Sequence, residues 1–162
     1  ITVNGGKLAV TAAYTMSAGG LVLNNGATFA NSTAATPKTV GKNLTVNGTA
    51  ALGDATDTGA LTFSATNSVA ASATINGAVN LGFTGTNTFG AGSAISTTGT
   101  LTVSGTTNFG AGASLTSGRP GVEMLLPTGT GRYGCLQAST DTGTALLLVT
   151  VATLGGGSRF GS

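Results

Sequence analysis

The feature that most limits what this chain can become is a phrase that returns about every twenty residues. Residues 61–75 read LTFSATNSVAASATI, residues 81–95 LGFTGTNTFGAGSAI and residues 101–115 LTVSGTTNFGAGASL. Phrases start at Ile1, Leu21, Leu44, Leu61, Leu81 and Leu101, so the second interval is longer than the rest and the third is shorter. Each opens on an apolar-x-apolar triplet: Ile1/Val3, Leu21/Leu23, Leu44/Val46, Leu61/Phe63, Leu81/Phe83, Leu101/Val103. Eight residues after the start, from the second phrase on, stands another apolar side chain: Phe29, Leu52, Val69, Phe89, Phe109. Fourteen residues after the start, the last three phrases place Ile75, Ile95 and Leu115.

Apolar residues at alternate positions demand a strand with one buried face, because successive side chains point to opposite faces. Gly, Asn, Ser and Thr between the apolar sites supply turns. Glycine and β-branched residues are weak helix formers, which argues against helix. The expected fold class is all-β and elongated: a β-solenoid with three short strands per coil around a narrow core. One coil cannot bury its own faces, so successive coils must stack. The expected core ladders are Leu61, Leu81 and Leu101; Phe63, Phe83 and Val103; Val69, Phe89 and Phe109; and Ile75, Ile95 and Leu115. Asn67 and Asn87 would form a polar ladder at a corner, and the copies of unequal length would differ in corner loops. An intertwined trimeric β-fibre, in which three chains share one axis, satisfies the same pattern. The spacing leaves both open.

Charge sharpens this reading. Only 6% of the residues are charged, against about 25% in ordinary soluble domains. Disorder is disfavoured, because 40% of the residues are hydrophobic. From Thr58 to Gly118 there is no Lys, Arg, Asp or Glu, so no charge guards a strand edge there. Such edges call for pairing with the next repeat or with another chain. Lys7, Lys38, Lys42, Arg119, Arg132 and Arg159 are scattered and make no nucleic-acid footprint. The apolar run from Ala145 to Leu154 is too short and too β-branched for a membrane helix, and no membrane insertion is expected. The chain opens on Ile1 with no secretory leader pattern, which reads as a processed or excerpted piece.

The repeat stops at Arg119-Pro120. Residues 1–118 read as a repetitive β shaft and residues 119–162 as a C-terminal β cap or assembly segment. Leu146, Leu147, Leu148, Val149, Val151 and Leu154 are its candidate assembly strand. Cys135 is the only cysteine, so no internal disulfide can form, and it reads as a small buried apolar residue.

Catalytic motifs are thin. Asp57-Thr58-Gly59 and Asp141-Thr142-Gly143 match the tripeptide of aspartic proteases, but neither follows an apolar strand, and both read as turns. Gly129, Gly131 and Gly134 match a dinucleotide fingerprint without the helix that would face a pyrophosphate. There is no histidine for a Ser-His-Asp arrangement or a usual zinc site. Asp54 and Asp57 are the only close acidic pair, in a turn-like stretch without the repeats of calcium solenoids. The expectation is no enzyme, no cofactor and no metal. Asn31, Asn43 and Asn47 carry glycosylation sequons by pattern.

Residues 43–53 (NLTVNGTAALG) and 99–112 (GTLTVSGTTNFGAG) resemble the low-charge repeats in the shafts of bacteriophage tail fibres and related virion fibres. They are also similar to the Gly/Thr/Asn coils of bacterial adhesins. The first resemblance implies a homotrimeric, elongated, non-enzymatic virion component that supports a host-binding tip. The second implies an extracellular stalk or a self-assembling filament subunit. Either implies self-association as the main partnership, with a host receptor or glycan met through other parts.

Overall fold

The computed structural model describes residues 1–118 and two short strands beyond them, Glu123–Met124 and Ala138–Ser139. The described residues contain strands and turns and no helix. The first coil contributes β1 (Thr2–Val3) and β2 (Gly6–Val10). The second contributes β3 (Leu21–Leu23), β4 (Ala27–Asn31) and β5 (Lys38–Val40). The third has β6 (Leu44–Val46), β7 (Thr49–Leu52) and β8 (Leu61–Phe63). The fourth has β9 (Thr66–Val69), β10 (Thr74–Gly77) and β11 (Leu81–Phe83). The fifth has β12 (Thr86–Phe89), β13 (Ala94–Thr97) and β14 (Leu101–Val103). The sixth has β15 (Thr107–Phe109), β16 (Ser114–Ser117) and β17 (Glu123–Met124), and β18 (Ala138–Ser139) continues beyond it.

Every ladder between these strands is parallel, and the strands form three walls. Wall 1 runs β1-β3-β6-β9-β12-β15, wall 2 runs β2-β4-β7-β10-β13-β16-β18, and wall 3 runs β5-β8-β11-β14-β17. The fold is a β-solenoid of about six turns, built within one chain. The two walls that continue through β17 and β18 carry the stacking past Pro120. Cys135 and the six assembly residues Leu146, Leu147, Leu148, Val149, Val151 and Leu154 lie outside the described residues.

The coils differ from the sequence phrases in one respect. The phrase pattern sets the copies starting at Leu44 and Leu61 one above the other. In the structure they are walls 1 and 3 of the same coil: β6 pairs with β9, and β8 pairs with β5. The short interval between them therefore vanishes. Along wall 1 the inward position passes from Leu21 to Leu44, Asn67, Asn87 and Thr107, two long steps followed by two shorter ones. Accordingly Leu52 belongs over Phe29 on wall 2, while Val69 belongs over Val46 on wall 1. All three walls present the same inward-outward-inward triplet, so the triplet does not say which wall it is on. The last three phrases keep the expected register.

The core is a single file of buried side chains. Leu61, Phe63, Val69, Ile75, Leu81, Phe83, Phe89, Ile95, Leu101, Val103, Phe109 and Leu115 are all buried. One phenylalanine stands in each of coils two to six, and each touches the next. Phe29 tilts against Phe63 at 6.3 Å between ring centroids, and Phe63 stacks on Phe83 at 5.7 Å. Phe83 meets Phe89 edge-on at 5.7 Å, and Phe89 tilts against Phe109 at 5.3 Å. The aromatic thread passes from wall 2 to wall 3 to wall 1. Where it leaves wall 2, the inward site shrinks: Phe29 and Leu52 are followed in register by Gly77, Thr97 and Ser117. A Cβ on Gly77 would lie 2.7 Å from both Leu81 Cδ1 and Thr97 Oγ1. Volume is thus conserved around each coil, as dense packing requires.

Candidate functional site

Residues 58–118, which build wall 3 of the third coil and then coils four to six as far as wall 2 of the sixth, carry no charged side chain. The charged side chains of residues 1–118, Lys7, Lys38, Lys42, Asp54 and Asp57, all fall in coils one to three. The extra residues of the two longer coils sit between walls 2 and 3, in residues 32–37 and 53–60. These two loops stack and make one lateral swelling, the chemically differentiated part of the shaft.

Asn31 locks the swelling from inside. It is fully buried, and its Nδ2 donates to the carbonyl oxygens of Thr36 (2.8 Å) and Ala60 (3.3 Å). Its Oδ1 accepts from the backbone N–H of Thr33 at 3.0 Å, and its backbone bridges Gly59. One side chain therefore ties both loops together. Of the three sequon asparagines, Asn31 is buried, while Asn43 and Asn47 are exposed.

Lys7 closes the swelling from outside. From the outer face of β2 it spans the second coil and ion-pairs with Asp54 at 2.6 Å and with Asp57. It also donates to Thr56 Oγ1 at 3.2 Å. Asp54 Oδ1 accepts from Thr56 Oγ1 (2.7 Å) and from the backbone N–H groups of Thr56 and Asp57 (2.8 Å each). The Lys7 ammonium, the Thr56 hydroxyl and those backbone donors hold the Asp54 carboxyl well below the usual carboxylate range. Hydrogen bonds to Asp54, then to Asp57, hold the Lys7 ammonium above its ordinary value. The acidic pair read from the sequence is brought together, and both members ion-pair with the one ammonium of Lys7. Asp57 therefore faces a lysine; Asp141, the other protease-like aspartate, lies outside the described residues. No group of three His, Cys, Asp or Glu that could hold a metal occurs among the described residues.

A polar ladder runs inside wall 1. In register with Leu21 and Leu44 stand Asn67, Asn87 and Thr107, all buried. Asn67 Nδ2 donates to Asn87 Oδ1 at 2.8 Å, and Asn87 Nδ2 donates to Thr107 Oγ1 at 3.0 Å. Both amides also serve corner carbonyls, Asn67 that of Phe63 and Asn87 those of Phe83 and Ser104. Asn67 Oδ1, at the level where the ladder turns to leucine, has no partner among the described residues.

Sequence reasoning missed Lys38. Lys38-Thr39-Val40 is the wall 3 triplet of the second coil, in register with Leu61-Thr62-Phe63. The likeness to Leu44-Thr45-Val46 was available as a signal, but a lysine at the first inward position hides it. Lys38 is 7% exposed. Its Nζ donates to the Ala12 carbonyl at 3.0 Å and lies 5.7 Å from the centroid of the Tyr14 ring.

No helix of the described residues is long and apolar enough to cross a membrane. Parallel walls, stacked inward ladders and polar locks at the corners define the class: a single-chain, three-walled β-solenoid. Comparison with protein-family models, with curated proteins and with solved structures finds no match, so a functional reading rests on the fold and its corner chemistry.

Proposed function

We propose that this chain is a structural segment of an elongated fibre, the shaft of a virion fibre that supports a host-binding tip. The observation that carries the reading is the unbroken aromatic and aliphatic file along one axis, one phenylalanine per coil. Such a file gives stiffness and register without any catalytic group. Strands repeat about 4.8 Å apart in the hydrogen-bonding direction, so six coils make a rod about 25–30 Å long. As far as Ser117, the outward positions of coils four to six are short, uncharged side chains such as Thr88, Ser96, Thr102 and Thr116, which suit lateral packing against further copies. The role is non-enzymatic and the main partner is a second copy of the chain. The receptor or glycan is met by other parts of the fibre.

A second reading has one specific support. Residues 58–118 place no charged side chain beside any strand, so no charge guards a sheet edge there. Open edges template strand addition. This favours a subunit of an extracellular stalk or self-assembling filament.

Negative-stain electron microscopy of the purified chain, with a mass measurement, separates the two. Discrete trimers that resist detergent support the virion shaft. Polymers that lengthen with concentration support the filament subunit. A dispersed monomer that hydrolyses or transfers a substrate would overturn both.

A further inference from the structure

We infer that the cleft at the open edge of wall 3 binds a small organic carboxylate. The first coil contributes no strand to wall 3, and residues 11–20 cross over the end of that wall as turns and coil. They leave a cleft of about 200 Å³ bordered by Tyr14, Met16, Phe29, Lys38, Thr39 and Lys42. The inward ladder at Lys38 is otherwise leucine: Leu61, Leu81 and Leu101 follow it in register. A cation stands where the next three coils bury an aliphatic side chain. The two described carboxylates of this region, Asp54 and Asp57, are both taken by Lys7. Of the three N–H donors on the Lys38 ammonium, the Ala12 carbonyl accepts one, and the face of Tyr14 adds a cation–π contact. A buried charge without a counter-ion is costly. A carboxylate in the cleft supplies that counter-ion.

The rest of the cleft describes the body of the ligand. β5 pairs with β8 alone, through bonds at Lys38 N–H and at the Val40 carbonyl. In a parallel ladder the intervening residue points its backbone groups the other way, so the N–H and C=O of Thr39 line the open edge. Phe29 and Met16 give an apolar floor, and Tyr14, 38% exposed, gives a ring face at the mouth. A cleft of about 200 Å³ is below the usual range for drug-sized ligands and suits one six-membered ring with its carboxylate. Lys42 adds a second cation at the rim.

The cleft lies within one chain, so its test does not depend on fibre assembly. The full chain is titrated with glucuronate, cyclohexanecarboxylate and glucose, followed by calorimetry or by ligand-observed NMR. Saturable binding of at least one acid in the millimolar range is expected, with glucose about tenfold weaker or more. A preference for glucuronate points to a sugar acid, and a preference for cyclohexanecarboxylate to an acid without hydroxyls. Lys38→Met should weaken the acid about tenfold or more while keeping or raising the melting temperature, because it removes a buried charge. Should that variant fail to fold, Lys42→Met and Tyr14→Ala, both at the rim, should each weaken the acid several-fold. The inference is overturned if neither acid saturates by about 50 mM, if glucose binds as well as the acids, or if Lys38→Met, or both rim variants where Lys38→Met does not fold, bind as the parent does.

Discussion

Ser72 has φ 58°, in the left-handed region, at the corner between walls 1 and 2. The same corner one coil on is Gly92 (φ 67°), and two coils on Gly112 (φ 73°). Ser72 donates its N–H to the Ala91 carbonyl, as Gly92 does to Ala111, so the corner geometry is held by stacking and not by residue type. A non-glycine residue there costs about 1–2 kcal/mol, and glycine gives back about 0.5–1 kcal/mol through chain entropy. Ser72→Gly should therefore stabilise the protein by up to about 1 kcal/mol, read as a higher urea midpoint at unchanged slope. Asn87 is the opposite case, since it serves the Phe83 and Ser104 carbonyls and the Thr107 hydroxyl at once. Replacing it by leucine strands those acceptors, at about 1–3 kcal/mol for each one left buried and unpaired. Asn87→Leu should cost about 2–4 kcal/mol, and Asn67→Leu less, because one Asn67 oxygen already lacks a partner. Equal losses in the two unfolding curves would refute the ladder's role. The sequence showed both asparagines as a recurrent pair, but not that Thr107 completes the ladder, because hydroxyl and amide look unlike in a list of letters.

Among the elements, the clasp between β2 and the 53–60 loop responds to pH. Asp54's carboxyl is lowered in the folded state, so its contribution is present above its unfolded value, about 3.9, and is lost as pH falls below that. Lys7's ammonium is raised, so its contribution is present below its unfolded value, about 10.4, and is lost as pH rises through the higher folded value. The clasp should therefore stabilise the swelling between about pH 4 and about pH 10. Melting temperatures from about pH 6 to about pH 2.5 should fall in the parent and fall less in Lys7→Met; parallel curves would remove the clasp from the account. Asp54 and Asp57 were readable as neighbours because they share a turn. Their partner was not readable, because Lys7 lies 49 residues from its bonded Thr56 and reaches it only across a stacked coil.

At the scale of the whole molecule, the shaft is a sum of nearly equal coils, each packed on its neighbours; among the described residues only the Lys7 clasp reaches past one coil. Stability of such arrays is close to additive over repeats. Removing residues 87–106 joins residue 86 to Thr107, which stands in register with Asn87 on wall 1. Phe109 then takes the place of Phe89 against Phe83. That chain should fold cooperatively with a smaller denaturant slope, in keeping with one coil less of buried surface. Removing residues 44–60 instead, from one phrase start to the next, puts the wall 3 triplet at Leu61 where the wall 1 triplet at Leu44 stood. That deletion should abolish the cooperative transition in circular dichroism. The alternation of apolar and small polar residues by itself determined that this chain forms short strands, that they recur about every twenty residues, and that side chains such as Phe63, Phe83 and Val103 stand one above the other along an axis. Which wall each triplet joins, that the coils stack within one chain, and that a lysine holds an inward position were decided only by the stacked structure. The physical reason is that a coil must fill one fixed cross-section. Its three walls share that volume, so a large side chain on one is answered by glycine, serine or an amide on another, and no single wall displays the full repeat.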